Sequence, residues 1–231
     1  MTTTLITGAN KGLGRETARR LVQAGHDVYL GARDPERGAA AARELGCRFV
    51  VLDVLDDDSV TAAADTVEQQ QGALDVLINN AGITGGAVPA EDTTAEDVQR
   101  VYATNVLGVV RVTHAFLPLL LRSPAPAIVN VSSGLGSLAV TTDPTLPWSA
   151  WKGLAYPSSK AALNMLTSQY AKNFPQIRIN AVDPGYTATD LNGHGGTQSV
   201  EEGAEAIVAM ATIDPDGPTG GFFDRHGVVP W

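Results

Sequence analysis

The chain has 231 residues, 44% hydrophobic and 18% charged, a length suited to one α/β domain with a single core. Its 16 Lys and Arg stand against 25 Asp and Glu, a net charge of −9, which excludes a general electrostatic attraction to nucleic acid or to anionic membranes. A single cysteine, Cys47, excludes an internal disulfide framework, and the first seven residues lack the basic and apolar regions of a signal peptide. The expectation is a soluble cytoplasmic protein with neither nucleic acid nor membrane as partner. The longest apolar stretch, Phe116 to Leu121, contains Pro118 and is too short to span a bilayer.

Short apolar runs alternate with helical segments from the first residues onward. Thr2 to Thr7 reads as a strand, Gly12 to Ala24 as a helix stopped by Gly25, and Val28 to Gly31 as a second strand. Asp34 as N-cap with Pro35 at the first helical position opens a helix that runs to Leu45 and Gly46. Arg48 to Leu52 is a third strand. Ser59 to Gln71 is a third helix, with Asp56, Asp57 and Asp58 placed well against its dipole. Leu74 to Ile78 follows as a strand, then a long helix from about Ala95 to Leu121, in which His114 is expected to pack, and a strand from Ala127 to Val131. Gly134 to Gly153 has no period and contains Pro144 and Pro147, so it reads as a loop. Tyr156 to Asn173 is helical and Ile177 to Val182 is a sixth strand. This alternation predicts one doubly wound α/β domain, a parallel sheet with helices on both faces.

Between the first strand and first helix lies Gly8-Ala9-Asn10-Lys11-Gly12-Leu13-Gly14. Glycines let the backbone turn tightly and approach a pyrophosphate, whose charge then sits at a helix N-terminus. A structural turn would look similar. At the end of the second strand, an acid would hold the ribose 2′-hydroxyl of NAD, or an arginine the 2′-phosphate of NADP. Asp34 is already explained as a cap, which leaves Arg33 for a phosphate, with Lys11 adding a second positive charge. The balance favours NADPH or NADP over NADH; in the alternative, Arg33 and Lys11 are solvated and Asp34 binds a hydroxyl.

Tyr156 and Lys160 are four apart on a helix and so share a face. A phenol is a weak acid–base catalyst at neutral pH, and a neighbouring ammonium is expected to lower its pKa. Alone, this spacing is ordinary for surface helices. Ser132-Ser133 ends the fifth strand at the carboxyl edge of the sheet, where ligands of such folds bind. Asn79-Asn80-Ala81-Gly82 follows the fourth strand, and Asn105 lies on the long helix.

With these residues in order, the chain resembles the classical short-chain dehydrogenase/reductase family over nearly its full length. The matching segments are Thr7-Gly8-x-x-x-Gly12-x-Gly14, Asp53-Val54, Asn79 to Gly82, Ser133, Tyr156-x-x-x-Lys160 and Pro184-Gly185. Asn10-Lys11-Gly12, Val200 to Ala204 and the tail from Gly217 to Trp231 look closest to its carbonyl-reductase-like branch. The resemblance implies a Rossmann-type sheet of about seven strands, the seventh near Gly220 to Phe223. It also implies reduction of a ketone, aldehyde or quinone to an alcohol or quinol by hydride from NADPH. Tyr156 would be the general acid and Ser133 would polarise the carbonyl. Lys160 would bind the nicotinamide ribose and lower the Tyr156 pKa, while Asn105 would hold a water relaying protons to Lys160. The turn from Gly8 through Asn10, Lys11, Gly12 and Leu13 to Gly14 would hold the phosphates. Asp53 and Val54 would sit at the adenine, and Asn80, Ala81 and Gly82 along the adenine ribose. Pro184, Gly185, Thr187 and Thr189 would cover the nicotinamide.

Pro157 directly follows Tyr156, so the helix must start just before it. The segment between Ser133 and Tyr156 is longer than in the plain family and shorter than in its monomeric carbonyl reductases, which leaves a homodimer, a homotetramer or a monomer open. Its Trp148 and Trp151 either wall an apolar substrate pocket or anchor the loop. Residues 186–200, with Gly193, His194, Gly195 and Gly196, read as a substrate lid. His194 is expected to be solvated, and Cys47 to be a small buried apolar residue. The Asp56 to Asp58 run has no Cys or His partners, and no metal site is expected. A redox sensor that binds NADP(H) without turnover is the competing function; it would need no proton donor.

Overall fold

The structure is a computed structural model that describes residues 1–86 and 88–231. Eight strands form one sheet in the order β3-β2-β1-β4-β5-β6-β7-β8. They are β1 (Thr3–Thr7), β2 (Asp27–Ala32), β3 (Arg48–Val51), β4 (Val76–Asn79), β5 (Ala127–Val131), β6 (Arg178–Val182), β7 (Phe222–Asp224) and β8 (Gly227–Val228). The first seven run parallel, and β8 is a two-residue antiparallel edge closing a tight turn on β7. The sequence pattern could not show β8, because two residues carry no period.

Successive side chains on each strand enter opposite layers, as a strand's period of two requires. Leu5, Leu77, Ile128 and Ile179 join one core with helices α3 (Asp57–Gln71), α5 (Gly108–Leu120) and α7 (Ala155–Asn173). Their neighbours Ile6, Ile78 and Val129 join the other, with α1 (Gly12–Gln23), α2 (Pro35–Leu45) and α8 (Val200–Ala211). The sheet is therefore covered on both faces, and its strands read as continuous apolar runs for that reason.

The structure departs from the sequence pattern at several points. The long helix is interrupted: α4 (Ala95–Tyr102) passes into a π-helical turn at Ala103–Leu107 before α5. By length and composition the 26-residue run Ala95–Leu120 is apolar enough to cross a membrane. Its apolar side lies on the sheet instead, with Val112, Phe116, Leu119 and Leu120 buried. His114 is exposed on α5 rather than packed, and Cys47 is half-buried rather than buried.

The segment read as a loop holds α6 (Leu138–Thr142), capped by Ser137, which accepts the Val140 N–H at 3.0 Å, and two 3-10 turns at Gly134–Gly136 and Pro147–Ala150. Five residues are too few to show a helical period. The C-terminal tail ties this segment down, since Ser137 Oγ donates to Pro230 O at 2.7 Å and Phe222 stacks on Trp231. Helix α8 was legible from Ser199 and Glu202, which form a reciprocal capping box.

Candidate active site

The strand order reverses between β1 and β4, with successive strands added on opposite sides of β1, and a cavity of ≈ 520 Å³ opens there at the carboxyl ends of the strands. The glycine turn forms its floor. Gly8 and Gly12 have φ of +64° and +54°, which favour glycine, and a Cβ at Gly14 would lie 2.5 Å from Asn80 Nδ2. Asn80 Nδ2 donates to the carbonyls of Thr7 at 2.8 Å and Gly8 at 3.1 Å, while Thr7 Oγ1 accepts the N–H groups of Asn80 and Ala81. The Asn80 side-chain amide thus helps to shape the turn. Helix α1 has no side-chain cap and no acid in its first turn, which leaves its N-terminal N–H groups for an anion.

The other expected residues enter the same cavity from separate elements. Arg33 comes from the end of β2, Asp53 and Val54 from beyond β3, and Asn80 to Gly82 from beyond β4. Tyr156 and Lys160 come from α7, and Pro184 and Thr189 from the loop after β6. Asn10, Lys11 and Leu13 line it with the glycines. Gly185 (φ +70°), Thr187, Ser133 and Asn105 are not among its lining residues. Thr187 is tied within its loop: its N–H donates to Gly185 O at 2.9 Å and its carbonyl accepts Asn192 Nδ2 at 2.9 Å.

The charges at the adenine end are placed unequally. Asp34 is the α2 cap, accepting the Arg37 N–H at 3.0 Å, and it also pairs with the Arg37 guanidinium. Arg33 is exposed at the cavity and has no ion pair among the described residues. Lys11 departs from expectation, because its ammonium is 2.7 Å from Asp190 Oδ2 instead of free beside Arg33.

At the other end, α7 begins at Ala155, so Pro157 sits in the first turn, where its missing N–H is tolerated. Lys160 is 5% exposed; its Nζ donates to Val131 O at 2.7 Å and lies 5.6 Å from the centre of the Tyr156 ring. Burial pulls the Lys160 ammonium down to about 8, against the opposing pull of the Asp183 carboxyl. Burial also pushes the Tyr156 phenol up to about 12; the Ser133 hydrogen bond lowers it and Asp183 raises it further. This corrects the expectation of a phenol lowered by Lys160. The ammonium is directed at a strand carbonyl, and burial is the largest influence on the phenol. This shift favours the protonated phenol at neutral pH.

Asn105, on the π-helical turn, is wholly buried. Its Oδ1 accepts the Ile83 N–H at 2.9 Å, and its Nδ2 donates to Ile83 O at 2.9 Å and Ser159 Oγ at 3.0 Å. The side chain ties the strand-to-helix loop to α7.

A second cavity of ≈ 380 Å³ meets the first at Tyr156, Thr84 and Gly85, residues that the motifs did not single out beyond Tyr156. Val88, Pro89, Trp151 and Leu154 make its wall chiefly apolar, with Asp97 and Lys152 among its polar groups. The two indoles divide the roles left open by the sequence. Trp151 lines this cavity, while Trp148 packs edge-on against Tyr186, 5.8 Å between centres, and on the small core of Val140, Ala181, Phe222 and Val229. Residues 186–200 fold back on themselves through a Thr187–Gln198 bridge and a 3-10 turn at Asp190–Asn192. His194 is exposed and 2.8 Å from Asp190 Oδ1.

Comparisons with known proteins agree with this geometry. A family profile for short chain dehydrogenases matches residues 2–199. The chain is 41% identical to the short-chain dehydrogenase anuI of Penicillium roqueforti over 90% of this chain and 87% of the relative. It is 34% identical to a (+)-neomenthol dehydrogenase of Arabidopsis thaliana, over 97% of this chain and 96% of that one. The NADPH-bound carbonyl reductase from chicken fatty liver superposes with a TM-score of 0.88 at 30% identity, covering 100% of this chain and 99% of that one.

Proposed function

The chain belongs to the short-chain dehydrogenase family, as an NAD(P)-dependent oxidoreductase acting on CH–OH or carbonyl groups, and on that premise we propose that it reduces a ketone, aldehyde or quinone with NADPH, using Tyr156 as general acid. The observation that carries the reading is the position of Tyr156. It stands where the two cavities meet, with the Ser133 hydroxyl at its own and Lys160 one turn along the helix.

The residues present fit a dinucleotide. Three glycines clear its path, an uncapped helix end meets its diphosphate, and Arg33 waits at the ribose end. Lys160 would hold the nicotinamide ribose. When bound, the reduced nicotinamide supplies a hydride. The carbonyl carbon gains that hydride while Tyr156 gives its proton to the carbonyl oxygen, forming the alcohol and leaving a phenolate. Ser133 hydrogen-bonds the same oxygen and disperses its developing charge. A phenol kept protonated is suited to reduction.

The apolar wall of the second cavity suits an uncharged carbonyl compound. The acidic chain and its single cysteine suit work in the cytoplasm, without nucleic acid or membrane. The test is oxidation of NADPH, followed at 340 nm, against a panel of cyclic ketones, aldehydes, diketones and quinones. Turnover of any carbonyl class supports the reading; NADPH binding with no turnover across the panel would replace it with a binding role.

A further inference from the structure

The Ser133 hydroxyl can share a carbonyl oxygen with Tyr156 only if its turn stands at a fixed place beside α7. A buried amide on that helix supplies the tie. Asn164 follows Lys160 by four residues and Tyr156 by eight, and it is 4% exposed. Its Oδ1 accepts the Ser132 hydroxyl at 2.6 Å, and its Nδ2 donates to the Gly136 carbonyl at 3.2 Å. A carbonyl can only accept, so Gly136 fixes which end of the amide faces it and leaves Oδ1 for Ser132. These two partners bracket Ser133. Ser132 precedes it, and Gly136 ends the 3-10 turn that Ser133 caps by accepting the Leu135 N–H at 3.2 Å.

The bracket has little slack. A Cβ at Gly136 would lie 2.7 Å from the carbonyl carbon of Lys160 and 2.8 Å from its Cβ, so the turn rests directly on the Lys160 backbone. Gly136 is not among the glycines of positive φ, and it is this close approach that calls for glycine. Ser132 is held from the other side, its N–H donating to Val182 O at 2.7 Å. Asparagine is a poor residue for a helix interior, and burying its amide is costly unless both ends are bonded. Here both bonds go to the serine turn and neither to α7 itself.

We infer that Asn164 is a positioning residue for this reaction, tying both sides of the Ser133 turn to the helix that carries Tyr156 and Lys160. The inference rests on the reading of Ser133, Tyr156 and Lys160 given above. An amide suits the task because it offers an acceptor to the hydroxyl and a donor to the carbonyl; an aspartate of the same shape would set oxygen against oxygen. Asn164 lines neither cavity and acts through the turn alone.

The test introduces Asn164→Ala into the full-length chain, alone and together with Ser133→Ala. It follows single-turnover reduction of a carbonyl compound from the panel above at saturating NADPH, with enzyme in excess so that slow variants stay measurable. Asn164→Ala is expected to slow this step about tenfold or more, as a misplaced group does, with NADPH affinity retained. In the Ser133→Ala background the same substitution should cost less than about twofold, because the group it positions is gone. Ser132→Ala removes the 2.6 Å bond from its other partner; it should repeat both results, and it stands in if Asn164→Ala does not fold. An unchanged rate in the folded variants overturns the proposal. Equal fold-losses in the two backgrounds overturn it as well, since a residue that only stabilises the fold would act alike in both. Ser133→Ala as fast as wild type would sink the role of Ser133 instead, and that result is read from the single variant.

Discussion

Lys11 and Asp190, 179 positions apart in sequence, are joined by a 2.7 Å ion pair beside the glycine turn, and both line the larger cavity. Lys11, then His194, hold the Asp190 carboxyl below the usual carboxylate range. The pair is solvent-exposed, so it is readily exchanged. A phosphate entering the cavity would compete with Asp190 for the ammonium.

This competition and the unpaired Arg33 lead to opposite expectations at the adenine end. Arg33→Ala should weaken NADPH by about tenfold or more while changing NADH little, since a hydrogen bond to a charged group is lost only for the phosphorylated ribose. Asp190→Asn should tighten NADPH by about two- to fivefold, the modest scale of an exposed ion pair. Fluorescence titration with both cofactors measures each. Equal losses of NADPH and NADH in Arg33→Ala would return the 2′ position to Asp34.

Tyr156→Phe removes the phenol proton and leaves the ring that lines both cavities. Turnover should fall about 10²-fold or more, the scale of a missing general acid, with NADPH binding retained. Single-turnover kinetics beside a binding isotherm separate the two. A variant as fast as wild type would exclude Tyr156 from proton transfer.

Lys160 should lower stability near neutral pH. Its folded pKa of about 8 lies below the ordinary 10.5, so between these values the unfolded chain binds more protons and stability rises with pH. Below pH 8 the whole penalty is present. Lys160→Met should therefore be more stable than wild type at pH 7, by up to about 3 kcal/mol, with the gap closing as pH climbs from about 8 to 10.5. Urea denaturation at several pH values reads it; a gap that is constant across that range would show that burial of charge is not its cause.

The two indoles should separate binding from stability. Trp151→Ala opens the smaller cavity and is expected to raise KM for an apolar substrate about tenfold, as lost burial of an aromatic contact implies, with little change in Tm. Trp148→Ala removes the contact with Tyr186 and the tail-side core, and should cost about 1–2 kcal/mol with KM nearly unchanged. Thermal unfolding and steady-state kinetics on both variants decide, and the reverse assignment would place Trp148 at the substrate.

What the sequence by itself determined is what short-range physics carries. Asp34 before Pro35 opens a helix wherever the chain goes, because cap and fixed φ act within one turn. The apolar runs of β1, β4 and β5 and the glycines at Gly8, Gly12 and Gly14 likewise state local requirements, and their order was enough to expect the doubly wound sheet and the cavity at its switch point. Only the tertiary structure decided which way the ionisable groups move and which distant residues meet. Desolvation of Tyr156 and Lys160 depends on everything packed around α7, so a Tyr and Lys one turn apart could not reveal that burial raises the one pKa and lowers the other. Asp183 against Gly134, Lys11 against Asp190 and Trp151 in the smaller cavity arise where separate loops converge at one sheet edge, and no period or cap in the sequence records that convergence.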